Sequence, residues 1–262
     1  MLSRFLGTLG AVRKALRCTA HLLHGMWTIR RHFAGASPAQ KSQHISRWAQ
    51  DFLQHLGVQL RLKGQAVTAG PLLVVANHIS WLDILVLLAV QPVCFVSKAE
   101  IKTWPLIGWL ATHVGTLYIE RASRRDAMRV VHHIAQALAP GTADQPPQII
   151  AVFPEGTTSD GRSVLPFHGN LIQAALSAGA PIQPVTLRFV DAATGCHSMA
   201  PAYIDSDTLV TSVWRFLTSK PVAACVHFGQ VQHAQGRDRR LWAGDLQRSV
   251  VQGLASNQDT PK

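Results

Sequence analysis

Short unbroken apolar runs alternate along the chain with longer segments whose apolar residues recur every three or four positions. Runs at 71–76, 93–96, 114–119, 149–153 and 181–187 have the length and composition of buried strands. Val58, Leu60 and Leu62 alternate with Gln59, Arg61 and Lys63, as in a half-exposed strand, and 221–230 reads as a late strand. Helical spacing marks a second set of elements. Ser37-Pro38 caps and starts a helix with the stripe Ile45, Trp48, Phe52 and Leu56, closed by Gly57. Residues 84–90 form an apolar helix, and 104–110 a short bulky one begun at Pro105. Ser123 with Asp126 caps a helix that turns Val130, Val131, Ile134 and Leu138 inward. A further helix over 171–178 opens at Gly169-Asn170 and closes at Gly179; Leu241, Leu246, Val250 and Leu254 mark a terminal one. Residues 140–147 and 191–208 read as loops, and 257–262 as a frayed tail. Strands alternating with helices predict an α/β fold: a mixed, largely parallel central sheet flanked by helices, with an N-terminal amphipathic helical pair. The division expected is 1–56 for that pair and 57–262 for the α/β domain.

The first 29 residues are apolar but interrupted by Arg4, Arg13, Lys14 and Arg17, so no uncharged stretch reaches the length of a membrane span. No small-residue cleavage site follows a compact apolar core, which speaks against a signal peptide. Leu2, Phe5, Leu9, Val12, Leu16, Leu23 and Trp27 recur at helical steps, with most cations on the other side. Two readings fit: a helix lying in a membrane interface, extended by the positive Arg30, Arg31 and His32, or a helix packed on the protein's own core.

Charge sharpens the choice of partner. A formal net charge of +11 over 262 residues favours polyanions: nucleic acid, an anionic membrane surface or phosphorylated substrates. The basic residues are dispersed and match no zinc-finger or RNA-recognition pattern, so no specific nucleic-acid partner is expected. Cys18, Cys94, Cys196 and Cys225 lie far apart without a C-x-x-C pair, which predicts reduced thiols and no metal centre.

Chemistry concentrates where strands end. Asn77-His78-Ile79-Ser80-Trp81-Leu82-Asp83 follows the run 71–76. On a regular helix, residues five apart face different directions. His78 and Asp83 meet only if His78 lies in the loop and Asp83 in the first helical turn. An aspartate on one imidazole nitrogen leaves the other basic, suited to deprotonating a hydroxyl. The plainer alternative is a satisfied loop histidine beside an acid favoured by the helix dipole. Val96-Ser97-Lys98 ends another strand, and Glu120-Arg121 a third. Pro154-Glu155-Gly156-Thr157-Thr158-Ser159 follows the run 149–153 and has the glycine and hydroxyls that bring backbone N–H groups near a phosphate.

In order these segments read N-H-I-S-W-L-D (77–83), G-T-L-Y-I-E-R (115–121), F-P-E-G-T-T-S (153–159) and P-I-Q-P-V (181–185). The set resembles the lysophospholipid and glycerol-phosphate acyltransferase family, and within it the bacterial 1-acylglycerol-3-phosphate acyltransferases. The resemblance spans residues 60–190 and the N-terminal helical pair; Leu117-Tyr118 departs mildly from the usual branched residue and phenylalanine. It implies His78 as catalytic base with Asp83 as its orienting partner, and Arg121, Glu155, Gly156, Thr157 and Lys98 as acceptor-binding residues. The last motif is associated with the acyl donor or with packing, and no catalytic role is assigned to it. The implied reaction moves a fatty acyl group to the 2-hydroxyl of 1-acyl-sn-glycerol-3-phosphate, giving phosphatidic acid. Acyl-CoA or acyl carrier protein serves as co-substrate, with no metal and no other cofactor. The implied location is the cytoplasmic face of the cell membrane, peripheral or monotopic. Rival readings are an acyltransferase for another lysolipid such as lyso-ornithine lipid, a hydrolase lacking the G-x-S-x-G elbow, and a non-enzymatic basic module binding membrane or nucleic acid.

Overall fold

The computed structural model describes residues 2–119, 124–139, 141, 147–204 and 207–256. Two helices open the chain, α1 (Leu2–His32) and α2 (Pro38–Leu56). Ser37 builds a capping box on α2: its Oγ accepts from Gln40 N–H at 3.3 Å while its own N–H donates to Gln40 Oε1 at 2.8 Å. Gly57 ends α2 at φ +80°, a left-handed conformation that glycine adopts without steric cost.

The domain then runs β1 (Val58–Lys63), β2 (Leu72–Ala76), α3 (Leu82–Val90), β3 (Cys94–Lys98), α4 (Ile107–His113), β4 (Leu117–Ile119), α5 (Arg124–Ala137) and β5 (Ile149–Val152). It finishes with α6 (Gly169–Ala178), β6 (Ile182–Asp191), α7 (Leu209–Leu217), β7 (Val222–Phe228) and α8 (Arg239–Ser256). Among the described residues seven strands form one sheet in the order β1-β7-β6-β2-β5-β3-β4. Strands β6, β2, β5, β3 and β4 are parallel; β7 runs antiparallel to β6, and β1 parallel to β7. The expected mixed, largely parallel sheet between helices is therefore what forms.

Side-chain alternation feeds two cores. Leu72, Val74 and Ala76 of β2 join α2 and α3 in one. Leu73 and Val75 join α5, α6 and α8 in the other. Both faces of β2 are thus covered, which is why its sequence is an unbroken apolar run.

The helix expected to start at Pro105 starts instead at Ile107. A 3-10 turn over Ala99–Thr103 comes first, and Leu106 takes φ +61°, breaking helical continuity at the proline. Strand β4 is shorter than the run 114–119 because Gly115, at φ +86°, turns the chain before it. The described residues of 191–208 hold no helix or strand beyond the end of β6, as expected of a loop, but α7 beyond them has no counterpart in the sequence reading. The Ser123 cap, Arg121 and the tail 257–262 lie outside the described residues.

Helix α1 has two unlike faces. Ala11, Cys18, His21, Gly25 and Ile29 are buried, and a Cβ on Gly25 would meet the Trp48 indole at 2.5 Å, so α1 and α2 approach closely there. Trp48 Nε1–H donates to the His21 carbonyl at 3.1 Å, and His21 Nε2 lies 2.9 Å from the Trp48 carbonyl. On the opposite side Leu9, Val12, Leu16, Leu23 and Trp27 face solvent, Leu16 at 67% exposure. The packed reading holds for one face of α1, and Leu9, Val12, Leu16, Leu23 and Trp27 are left uncovered on the other. No described helix is long and apolar enough to cross a membrane.

Candidate active site

The parallel strands place the residues that follow β2, β3 and β5 along one edge of the sheet. Such edges are where open α/β sheets build sites, because the loops there are free to vary while the strands hold them. Asn77 anchors the first loop. It is fully buried; its Nδ2 donates to the Leu187 carbonyl at 2.9 Å and its Oδ1 accepts from Leu187 N–H at 2.8 Å. A side chain thus continues the ladder between β2 and β6 for one rung after β2 has ended.

His78 and Asp83 meet. His78 Nδ1 lies 2.8 Å from Asp83 Oδ2, and the same oxygen accepts the N–H groups of Ile79 at 2.7 Å and Ser80 at 2.8 Å. A carboxylate accepts, so in the neutral ring Nδ1 is the nitrogen that carries the proton and Nε2 the one left with the lone pair. Asp83 is fully buried, whereas the His78 side chain keeps 21% of its surface exposed. Phe153 stacks on the imidazole with centroids 4.0 Å apart and planes 10° from parallel, which fixes the ring's tilt. Ser80 Oγ accepts from Leu82 N–H at 3.2 Å in a local side-chain turn just ahead of α3, which occupies this hydroxyl.

The loop after β5 closes over this turn. Ser159 N–H donates to the His78 carbonyl at 2.8 Å. Gly161 packs so tightly that a Cβ would sit 2.7 Å from Ile79 Cδ1. Tyr203 N–H donates to the Ile79 carbonyl at 3.0 Å, and Thr158 Oγ1 donates to the Tyr203 carbonyl. Arg215 braces that second segment with a two-pronged pair to Asp207, Nη1–Oδ1 at 3.1 Å and Nη2–Oδ2 at 2.8 Å.

Glu155 lies in the floor. It is 4% exposed; Oε1 accepts from Leu165 N–H at 3.3 Å, and Oε2 is buried with no hydrogen-bond partner among the described residues. Burial raises its carboxyl to about 8, against the pull of the His78 and Leu165 backbone N–H groups and with a further push from the charge of Asp83. At neutral pH it is therefore largely a neutral acid, able to donate as well as accept. Asp83 Oδ1 is a second buried oxygen without a partner there.

Among the residues singled out from sequence, His78, Asp83 and Glu155 converge. Gly156 adopts φ +74° beside the His168 ring, and Thr157 is exposed at the same loop. Lys98 ends β3 on the same edge, but its side chain is 60% exposed and faces Glu100 at 3.6 Å. Sequence reasoning passed over the structural work of Asn77, Phe153, Gly161 and the Tyr203 segment. Asn77 directly after a buried strand and Asp160-Gly161 in the loop were the available signals.

A family model described as Acyltransferase matches residues 57–188. The lyso-ornithine lipid O-acyltransferase of Pseudomonas aeruginosa is 34% identical over 224 residues, 85% of this chain and 83% of that protein. The 1-acyl-sn-glycerol-3-phosphate acyltransferase of Neisseria meningitidis is 34% identical over 228 residues, 86% of each. The crystal structure of the 1-acyl-sn-glycerophosphate acyltransferase of Thermotoga maritima shares the fold, with a TM-score of 0.73 at 18% identity over 99% of both chains. With a buried acid holding a histidine at the sheet edge and relatives matched over most of its length, the chain belongs to the acyltransferase family.

Proposed function

We propose that this protein transfers a fatty acyl group from an acyl thioester to the 2-hydroxyl of 1-acyl-sn-glycerol-3-phosphate. The Asp83–His78 hydrogen bond carries the reading. His78 Nε2 takes the proton of the acceptor hydroxyl as that oxygen attacks the thioester carbonyl. The tetrahedral intermediate collapses, the carbon–sulfur bond breaks, and the leaving thiolate recovers the proton from the imidazolium. General-base help of this kind contributes roughly a hundred- to ten-thousand-fold in rate. The route needs no acyl-enzyme, metal or redox group.

Acceptor binding is assigned to Glu155, Gly156, Thr157, Lys98 and Arg121. Neutral Glu155 is assigned to an acceptor hydroxyl, and Lys98 and Arg121 to its phosphate. Acceptor identity has a second reading: the Pseudomonas relative named for lyso-ornithine lipid is as similar as the Neisseria one named for the glycerol phosphate. The exposed α1 stripe, flanked by Arg13, Arg17, Arg30 and Arg31, supports attachment to an anionic membrane at the cytoplasmic face, with the helix lying in the interface.

The test is thiol release from acyl-CoA across a panel of lysolipid acceptors, with His78→Ala in parallel. Release that requires 1-acyl-glycerol-3-phosphate and is lost in the variant is the expected result. Near-normal turnover by His78→Ala removes the mechanism, and preference for the ornithine acceptor replaces the substrate.

A further inference from the structure

The sheet separates two environments. Helix α1 lies outside α2, and Ala11 and Cys18 join it to the core on one face of the sheet. Across β6, β7 and β1, Leu187, Val226 and Leu60 point into that same core. Alternation sends their neighbours to the other face. There Arg188, Cys225 and Arg61 stand in one lateral row, Arg188 paired with Cys225 and Cys225 with Arg61. Burial pushes the Cys225 thiol up, and both guanidinium groups pull it back, as expected if they flank it closely. Arg162 and His197 extend the cluster: burial lowers the imidazole, and the charges of Arg162 and Arg188 lower it further. Asp160, 3.7 Å from Arg162, offsets one of these charges. Arg61 donates through Nη2 to the Ala192 carbonyl at 3.0 Å and stays exposed.

Backbone contacts tie this row to the loops of the active site. Arg188 follows Leu187, the residue clipped to Asn77 at 2.8 and 2.9 Å. Arg162 lies three residues beyond Ser159, whose N–H holds the His78 carbonyl at 2.8 Å. Two strand spacings, about 10 Å, then separate Arg188 from Arg61. Cations therefore run outward from the catalytic turn over the face opposite the apolar stripe. With α1 in the membrane interface, as proposed above, a lipid headgroup approaches from the stripe side. The water-soluble donor is the substrate component that can come from this one. It carries its reactive thioester at one end of a long flexible arm and a phosphate at the other.

We propose that Arg61, Arg162 and Arg188 form the subsite for the phosphate end of the donor's phosphopantetheine arm, the chemistry common to coenzyme A and acyl carrier protein. The proposal rests on the acyl-transfer reading above and adds the donor's path to it. Arginine suits the task because its planar fork pairs with phosphate oxygens through charge-assisted bonds.

The test compares three donors with the same acyl group: acyl-CoA, acyl carrier protein, and the N-acetylcysteamine thioester, which lacks the phosphate. The full chain is assayed as wild type, Arg61→Gln, Arg162→Gln, Arg188→Gln and Arg61→Lys, each checked for an unchanged melting temperature. A charge-assisted bond lost at the subsite predicts kcat/KM falling about tenfold or more for both phosphate donors relative to the phosphate-free one. Arg61→Lys is expected to recover part of that loss. Equal loss with all three donors, loss with none, or loss confined to a single phosphate donor overturns the shared subsite. A wild-type protein that releases thiol from none of the donors instead refutes the acyl-transfer reading itself.

Discussion

Replacing Glu155 by glutamine isolates the energetic consequence of its burial. The native carboxyl titrates near 8, against an ordinary value of 4.5. Between those values the unfolded chain has released the proton and the folded protein still holds it. Stability therefore falls as pH rises through this window and levels off above it. The full span corresponds to on the order of 5 kcal/mol, from about 1.4 kcal/mol per pKa unit. Glutamine has nearly the same shape, keeps an oxygen for Leu165 N–H and does not titrate. Urea unfolding of both proteins at half-unit steps from pH 5 to pH 8.5 reads the effect directly. The difference cancels every other group that behaves alike in the two. The variant is expected to match wild type near pH 5 and to exceed it by at least ~2 kcal/mol at pH 8. A difference that stays flat across the series means that Glu155 is ionised in the folded protein, and the description of a neutral acid in the site floor is then wrong.

Asp83→Asn replaces the oxygen that takes three N–H donors with a neutral amide; kcat is expected to fall by ~10²–10⁴ with KM little changed, measured by steady-state thiol release. Gly161→Ala combines φ +75° with a Cβ 2.7 Å from Ile79 Cδ1, so denaturant unfolding should show a loss of ~1–3 kcal/mol. By contrast Gly244→Ala, inside α8 with only Arg248 Nη1 at 3.8 Å, is expected to stabilise by ~0.5 kcal/mol in the same measurement. Leu16→Glu with Leu23→Glu places charge on the exposed α1 stripe; pelleting with anionic liposomes should drop while the melting temperature holds, and undiminished pelleting would remove the interfacial role of this helix.

Local chemistry explains what the sequence made readable. The run before Asn77 is apolar throughout because β2 is covered on both faces, and the five-residue spacing of His78 and Asp83 makes sense only across a strand-to-helix turn. Ser37, Gly57 and Gly179 mark helix ends by their own backbone and side-chain preferences. What stayed hidden depends on distant partners. Strand β6 continues to Asp191 because β7 pairs with its far half, and nothing within 188–191 announces that partner. Helix α7 is nine residues long, with Val210 and Trp214 exposed and Phe216 and Leu217 buried, too short a stripe to separate from a loop. Lys98 stands at a strand end as expected, but its exposed side chain lies beside Glu100 two residues on, which strand-end placement does not encode. The floor position of Glu155 follows from Leu165 and the His78 backbone, contacts that no spacing rule encodes.

One oxygen atom has a double duty. Asp83 Oδ2 aims the imidazole and also ties down the two amides that shape the bend beneath it. In the proposed mechanism reactivity and local architecture are thus welded at a single point, and no alteration there can tune one while sparing the other. Glutamate, longer by a methylene, would have to move the bend in order to reach the ring. Attempts to re-engineer the rate of this protein should leave this position untouched and work instead on Phe153, which meets the ring only by its face.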